Sequence, residues 1–370
     1  MTSRQRLLNT IYRRPIDRVP ISLYELCPYA GSDCANFANT DPSYQRLLAL
    51  MAENTDTLMM SSPVYTYPNV EKVTERRVWR EGVSVYEVIT LHTPKGVLTA
   101  KTRRDDNIFT VWYLEHFLKD INDIRCYQSL DFNCKMDTRK MFADQALLDK
   151  SGLIMASIAD PICLAAELFS MEDFLVYAIT ETDTIQDFLD WLWEGIRARL
   201  AMVLRHDVKD IMFRIVGPEY ATPPYLPNRY FSKFVTQYTS RIAHMVKQAG
   251  AIPRAHSHGR VKHALSEFAG AGVMCVDPIE APPDGDITLT EAKALYGDQF
   301  TLMGNIELKA LELQSPPEID ALVKAAMDDA KEGGGFILMP TATPINIPLK
   351  PKTETNLMAM IDAGMKYGRF

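Results

Sequence analysis

Two histidines spaced two residues apart, His256 and His258, are the side chains best suited by type and spacing to bind a metal ion. They lie at the end of the apolar run 251–256, which is typical of a buried strand, and Gly259 follows directly. Side chains two apart in a strand point to the same face, so both imidazoles are expected to reach one ion. The structural alternative is that one histidine caps the next helix while the other is exposed.

Polar side chains also follow most of the other strand-like runs. In a parallel sheet the carboxyl ends of the strands meet at one mouth, where barrel enzymes keep their functional groups. Strand ends are often polar simply because they meet water, so only the coincidence of several around one mouth indicates a site. Arg214, which shares a face with Met212 and Val216, is a carboxylate or phosphate clamp if it points inward and a surface ion-pair partner if it points outward. The polar residues concerned are Tyr24, Glu25, Asp160, Glu167, Glu219, Asp277, Glu280 and Asn305.

The elements that must position these residues follow an alternating pattern of short apolar runs and longer amphipathic stretches, typical of βα units. There are eight such runs, the number that closes a barrel, so we predict an α/β fold consisting of a single (β/α)8 TIM barrel over residues 1–370. Asp183 is predicted to cap a helix over 184–205, and Ser315 to begin another. The predicted strands are 20–24, 57–61, 153–159, 211–216, 251–256, 272–277, 300–304 and 335–339.

One segment, roughly 63–150, is too long for an ordinary connection between the second and third strands. Within it, 83–90 and 97–103 alternate in strand fashion around Pro94-Lys95-Gly96, a turn signal, and 137–148 has the pattern of a helix. We therefore predict an insertion containing a β-hairpin. Because it follows a strand, it is expected to lie over the catalytic mouth of the barrel.

Composition excludes several classes of function. A net charge of −7 provides no basic surplus for nucleic acid, and no apolar run is long enough to span a membrane. The six cysteines form no CxxC pair and are interpreted as reduced thiols, which favours a cytoplasmic enzyme. The basic start resembles a transit peptide, but it runs directly into the first predicted strand and is interpreted as a helix. Dinucleotide, P-loop and serine-hydrolase motifs are absent.

A series of short motifs extends over essentially the whole chain. They are Asp17-Arg18-Val19-Pro20, 93–98, 112–121, 256–259, 290–293, 302–306, 333–338 and 354–368. In their order these motifs resemble the superfamily of uroporphyrinogen decarboxylase and the cobalamin-dependent methyltransferases, in which a His-x-Cys-Gly element occupies the place of 256–259. The resemblance implies the same barrel fold that the eight runs predict.

The first departure from this superfamily concerns the decarboxylases. Their first loop is rich in arginine and holds the carboxylates of the substrate. The corresponding stretch 23–28 contains Glu25 and no arginine, so a polyacid would be repelled there. Porphyrinogen decarboxylation is therefore disfavoured, and the methyltransferase branch is the better match.

The second departure concerns the metal. Superfamily members that methylate thiols hold zinc with one histidine and two cysteines, whereas here His258 and Ala342 occupy the cysteine positions. The resemblance then implies a His256, His258 and Glu219 ligand set. Without thiolates such a zinc ion is a stronger Lewis acid, suited to polarising an ether or alcohol oxygen.

The expected activity is therefore zinc-assisted transfer of a methyl group from a methoxylated, for example aromatic, small molecule to the Co(I) of a separate corrinoid protein. A methylated amine or thiol remains an alternative donor, and a homodimer is the assembly to test. A metal-free lyase acting on a carboxylated substrate and a non-catalytic corrinoid or tetrapyrrole binder are the competing hypotheses. The expected substrate-binding residues are Tyr24, Glu25, Arg214 and Asn305, and Glu167 and Asp277 are the expected proton donors or supporting catalytic groups.

Overall fold

The computed structural model describes all residues, 1–370. Its strands are β1 (Thr57–Met60), β2 (Val64–Thr66), β3 (Thr74–Glu81), β4 (Ser84–Thr93), β5 (Gly96–Asp105), β6 (Trp112–Glu115), β7 (Lys135–Asp137), β8 (Gly152–Ala159), β9 (Met212–Val216), β10 (Ile252–His256), β11 (Cys275–Asp277), β12 (Thr301–Ile306) and β13 (Phe336–Pro340). Its helices are α1 (Ser3–Ile11), α2 (Gln45–Asn54), α3 (Pro68–Glu71), α4 (Asp123–Tyr127), α5 (Arg139–Leu148), α6 (Pro161–Leu168), α7 (Met171–Thr180), α8 (Thr182–Val203), α9 (Arg229–Phe231), α10 (Gln237–Gln248), α11 (Lys262–Ala271), α12 (Leu289–Tyr296), α13 (Leu308–Leu313), α14 (Pro316–Ala330) and α15 (Pro351–Tyr367).

Seven strands form one curled parallel sheet in the order β1-β8-β9-β10-β11-β12-β13. Each of the seven runs predicted from residue 57 onward coincides with one of these strands, although β11 is shorter than predicted and β12 is longer. Because neighbours in the sheet follow chain order and run parallel, all their carboxyl ends open at the same edge. The sheet therefore has one mouth at which the polar residues can meet.

The run predicted at 20–24 does not form a full strand, and this prediction was wrong in extent. Only Ile21 makes a parallel bridge, to Leu338 of β13, while its carbonyl accepts a 2.6 Å bond from the Asp56 amide on the β1 side. Pro20 has no N–H to donate, and the Ile21 amide donates to the Asp56 side chain at 2.9 Å. Side-chain bonding thus replaces part of the ladder.

An ion-pair cluster around Asp56 holds this segment in place. The Asp56 carboxylate is fully buried and accepts from Arg6 at 2.6 Å and from Arg18 at 2.7 Å. Arg6 also pairs with Asp17 at 2.7 Å. The Asp17-Arg18 motif therefore ties α1 and the Ile21 segment to the start of β1.

Between β1 and β8 the chain forms antiparallel structure that is larger than the predicted hairpin. β4 and β5 pair over their full length, with Thr93 opposite Gly96 at the turn. β3 and β6 flank them to give a four-stranded sheet, and β2 pairs with β7. The flanking strands were missed because β3 is mostly charged and its two apolar residues, Val78 and Trp79, are adjacent, so it shows no alternation, while β6 is too short to show periodicity.

The core has two parts, one on each side of the parallel sheet. The larger cluster packs the outer face of the sheet against the helices. The smaller cluster fills the interior of the curl and is closed at the amino ends of the strands by Leu7 and Ile11 of α1. Its members include five methionines, Met60, Met155, Met212, Met303 and Met339.

Of the two helix starts predicted from capping residues, the one at Ser315 agrees with the structure and the one at Asp183 does not. Ser315 forms a capping box with Glu318 at the start of α14, as the sequence predicts. Asp183 does not cap α8, which begins at Thr182 after Glu181; Asp183 lies in the first turn and pairs with Lys233 instead. None of the helices combines the length and the apolar composition needed to cross a membrane.

Candidate active site

A buried hydrogen-bonded chain lies inside the mouth of the sheet, at the ends of β10 and β11. Alternation along β10 turns Arg254 and His256 to the interior, on the same face as Ile252. The Asp277 carboxylate accepts from Arg254 Nε through one oxygen and lies 2.8 Å from His256 Nδ1 through the other. The side chains of Arg254 and Asp277 are 0% exposed, so this is a fully desolvated ion pair that fixes the ring of His256.

The charges of Arg254, His256 and Asp277 in this hydrogen-bonded series determine which of these side chains are protonated. Burial alone would raise the pKa of Asp277, but Arg254 and His256 hold it well below its usual range. Burial lowers the pKa of His256 to about 3. At neutral pH His256 is therefore a neutral imidazole whose Nδ1–H donates to Asp277. Its Nε2 then carries a lone pair toward the mouth.

Tyr24 lies over the side chains of Arg254, His256 and Asp277 and has an unusual backbone conformation. Its φ of +59° is left-handed, which a non-glycine residue rarely adopts, and such residues cluster at functional sites. Its hydroxyl is 3.2 Å from His256 Nε2. Its ring lies 5.4 Å from the Arg214 guanidinium and 5.9 Å from that of Arg254. The strained turn thus places one phenol between the histidine and two cations.

Arg214 points inward, which is the first of the two orientations that the sequence left open. Its Nη1 is 2.6 Å from Glu25 Oε1, and its side chain is only 11% exposed. Glu25 is therefore neutralised rather than left as an isolated negative charge in the first loop. The two residues form a partly buried, charge-assisted ion pair at the mouth.

His258 lies next to His256, but its Nδ1 has a different partner. The two rings are 4.7 Å apart and perpendicular. His258 Nδ1 is 2.9 Å from Glu280 Oε1. Burial would lower the pKa of His258, but the hydrogen bond and charge of Glu280 raise it, and the pKa of Glu280 is lowered in return. Each histidine is thus oriented through Nδ1 by its own carboxylate.

Glu219 and Asp160 supply buried carboxylate oxygens without partners. Glu219 Oε2 and Asp160 Oδ2 are both buried and accept no hydrogen bond. Burial raises the pKa of both groups, and Glu219 is close enough to His258 for their charges to interact. Gly217 permits this approach of β9 to α6, because a Cβ at its φ of +113° would lie 2.3 Å from Cys163 Cβ. Unpartnered buried oxygens of this kind indicate a missing cation or proton.

Two predicted site residues lie apart from this network. Glu167, on α6, is 3.6 Å from Cys163 Sγ, and burial of its carboxyl group raises its pKa although the residue as a whole is exposed. Asn305 lines a separate cavity of about 370 Å³ together with Glu307 and Lys309. Its side chain makes no hydrogen bond to the histidines or to Tyr24.

The donors present fit a metal ion in type and orientation but are not assembled around one point. No three His, Cys, Asp or Glu side chains are grouped as a metal ion requires. The features that fit are the Nδ1 bonds of His256 and His258 to carboxylates, which is how metal-binding histidines are usually oriented, and the unpartnered Glu219 oxygen. Convergence on an ion would require these side chains to rotate, and His256 Nε2 to exchange Tyr24 for the metal.

Arg254 is the member of the buried network that the sequence interpretation missed. It lies within the run 251–256, in which every residue except Arg254 and the final His256 is apolar. A charged residue in a strand that is otherwise buried needs a buried partner, and that signal was present two residues before His256.

Comparisons with known proteins agree with this architecture. Residues 116–367 match the sequence profile of the family described as uroporphyrinogen decarboxylase (URO-D). Two relatives are methylcobamide:CoM methyltransferases MtaA of Methanosarcina barkeri, 28% and 27% identical over 217 residues. Each alignment spans 58% of this chain and 58% of the relative, which is less than two thirds of its length. A solved methyltransferase from Methanosarcina mazei shares the fold over 99% of both chains, with a TM-score of 0.62 and 17% identity.

Proposed function

We propose that this chain, which belongs to the uroporphyrinogen decarboxylase family, is a corrinoid-dependent methyltransferase of that family. The observation that carries the proposal is the pair of adjacent histidines at the barrel mouth, each oriented through Nδ1 by a buried or half-buried carboxylate. The stretch 23–28 contains no arginine to hold a polycarboxylate, and the curated relatives carry the name of methylcobamide:CoM methyltransferases. The partner is then a corrinoid protein and the second substrate a small methyl donor.

The finer proposal is that zinc binds to His256, His258 and Glu219 and that the donor is a methoxylated, for example aromatic, compound. Bound there, zinc would act as a Lewis acid on the ether oxygen of the donor. Asp277 and Glu280 would orient the two imidazoles, and Arg254 would keep Asp277 ionised.

The remaining residues of the mouth would bind and protonate the donor. Arg214 and Tyr24 present a guanidinium and a phenol to an anionic or phenolic group, with Glu25 holding Arg214 until the donor arrives. Because the pKa of Glu167 is raised and that of Asp277 is lowered, Glu167 is the better proton donor and Asp277 the better positioning residue.

We further infer that residues 1–370 form one domain in which the Ile21 segment acts as the eighth strand of a closed barrel. The segment 63–150 would then lie over the mouth and dock the corrinoid protein. Strand β6 supports this role, because it is an edge strand whose Trp112, Tyr113 and Leu114 are all 46–48% exposed. Tyr113 also stacks on His116, whose Nδ1 is 2.7 Å from the Glu167 carbonyl, which links this edge to the mouth.

The test is metal content by plasma mass spectrometry, measured on the native protein and on His256→Ala, His258→Ala and Glu219→Ala. His263→Ala is the matched control, since His263 lies on α11 and pairs with Glu267 outside the mouth. We expect about one zinc per chain, lost in the three site variants and kept in the control. Methylation of Co(I) corrinoid by methoxylated donors should follow the metal.

Two outcomes would contradict this proposal. Zinc absent after reconstitution, or equally retained by all four variants, would refute the ligand set and favour the metal-free lyase hypothesis. Zinc bound as expected, with tight corrinoid-protein binding but no methyl transfer from any donor, would favour a non-catalytic binder. Light scattering tests the homodimer independently.

A further inference from the structure

A second cavity, of about 350 Å³, lies outside the barrel mouth between α8 and the segment that joins β1 to β8. Its walls are mostly aromatic. The lining residues that matter are Tyr67, Tyr127, Phe132, Leu164, Trp191 and Arg199. A volume of this size is in the range of small-ligand pockets.

The aromatic walls are held in place by ring-to-ring packing. Phe132 meets Trp191 edge-on at 5.7 Å and Tyr67 at 6.0 Å, while Tyr127 meets Trp191 edge-on at 6.1 Å. Behind Trp191, the fully buried Phe188 stacks on it at 6.0 Å. The cavity is therefore formed in advance, and a planar ring entering it would meet aromatic edges and faces rather than flexible aliphatic chains.

The cavity contains one cation without a counter-ion. Arg199 has no carboxylate within 4.0 Å, because the one acid of the lining, Glu194, is paired with Arg197 at 2.6 Å. Gly195 leaves space beside the guanidinium, since a Cβ there would come within 3.3 Å of Arg199 Nη1. Burial raises the pKa of the Tyr67 and Tyr127 hydroxyls, and the charge of Arg199 opposes that rise in both, with a hydrogen bond between the side chains of Tyr67 and Arg199.

We propose that this cavity is a second ligand site, specific for a small aromatic carboxylate. The carboxylate would pair with Arg199 and accept from the two phenols, and the ring would fill the aromatic space. A neutral arene lacks the charge that Arg199 requires, and an aliphatic acid lacks the ring. The site is independent of the methyl-transfer proposal, because none of its residues belongs to the network around His256.

The position of α6 gives the site a route to the mouth. Leu164 lines the aromatic cavity, whereas the adjacent residue on the same helix, Cys163, contacts Glu167. Burial, together with the nearby charges of Asp160 and Glu219, raises the pKa of the Cys163 thiol. A ligand in the cavity therefore packs against the outer side of the helix that carries Glu167. This arrangement is suited to an effector that stabilises α6 rather than to a substrate.

The experiment is calorimetric titration of the full chain with benzoate, compared with cyclohexanecarboxylate and benzyl alcohol. Arg199→Gln should weaken benzoate binding roughly tenfold to a hundredfold, because it removes a charge-assisted hydrogen bond. Arg197→Gln is the matched control on the same helix and should bind as the native chain does. Arg214→Gln removes the cation of the mouth, so this variant loses any benzoate bound at the mouth and should keep the binding that depends on Arg199.

Trp191 provides a second measurement that does not depend on the arginine variants. Benzoate should change the tryptophan emission of the native chain, and Trp191→Leu should abolish most of that change. If Arg199→Gln fails to fold by circular dichroism, Arg199→Lys retains the charge and should retain part of the affinity. No binding to the native chain, equal binding by Arg199→Gln, or complete loss of binding in Arg214→Gln would each overturn the proposal. Binding of the other two probes as tightly as benzoate would overturn its specificity.

Discussion

Asp277→Asn is the substitution that most directly tests the buried hydrogen-bonded series Arg254–Asp277–His256. The wild-type carboxylate neutralises Arg254 and accepts from His256 Nδ1, and both side chains of the ion pair are 0% exposed. An amide has one acceptor oxygen for two donors, and its NH₂ group would face one of those donors. The variant therefore leaves a buried guanidinium without a counter-ion, in contact with the sulfurs of Met155 and Met339.

Removing one partner of a buried ion pair costs about 3–5 kcal/mol, because the remaining charge stays desolvated. We expect that loss in the free energy of unfolding, measured by urea denaturation at neutral pH. Arg254→Met should cost a similar amount, since it leaves Asp277 with His256 alone. The double variant Arg254→Met/Asp277→Leu removes both charges, and it should recover more than half of the summed single losses.

A spectroscopic measurement separates positioning from simple stability. In the native chain the ¹⁵N signals of His256 should report a neutral ring protonated at Nδ1, because Asp277 accepts that proton. In Asp277→Asn the Nε2-protonated tautomer should gain population. Single variants that cost less than about 1 kcal/mol, or a double variant at least as unstable as the summed singles, would refute the buried-pair argument.

Two further predictions concern the scaffold. Gly217→Ala should destabilise the chain through both its left-handed φ and the 2.3 Å approach of the new Cβ to Cys163, each costing roughly 1–3 kcal/mol. Gly259→Ala is the control: its φ is also left-handed but its Cβ would meet open space, so it should cost only about 1–2 kcal/mol in the same denaturation assay. Equal losses in the two variants would contradict the steric argument. The hydrogen bond from Arg6 lowers the pKa of Asp17 to about 2, so its contribution to stability is complete above the unfolded-state value of about 4 and is lost as the pH falls from about 4 to 2. Asp17→Asn should remove that part of the acid dependence, and Asp183→Asn, at a fully exposed carboxylate, is the control.

The parallel sheet was predictable because each of its strands is a short apolar run bounded by turns. The segment at Ile21 was not, because Pro20 and the Asp56 side chain replace ladder hydrogen bonds that no periodicity reveals. In the candidate site, positions at strand ends predicted that the polar residues meet at one mouth; the structure brings Tyr24, Arg214, His256 and Asp277 together there, whereas Asn305 lines a separate cavity. The hydrogen-bond partners of the residues at the mouth were not predictable, since the pairing of Arg214 with Glu25, for example, joins side chains 189 residues apart.

The same limit applies to the two histidines. Their spacing predicts that both imidazoles face one side, and the rings do lie 4.7 Å apart. Spacing does not determine which nitrogen is free, whereas the partners of Nδ1 do: Asp277 for His256 and Glu280 for His258. Both rings therefore present Nε2 outward, the arrangement expected of metal ligands and equally of hydrogen-bond acceptors. The buried Glu219 oxygen without a partner would be satisfied by a cation bound to both rings or by a proton on its own carboxyl group, and the metal analysis of Glu219→Ala distinguishes the two.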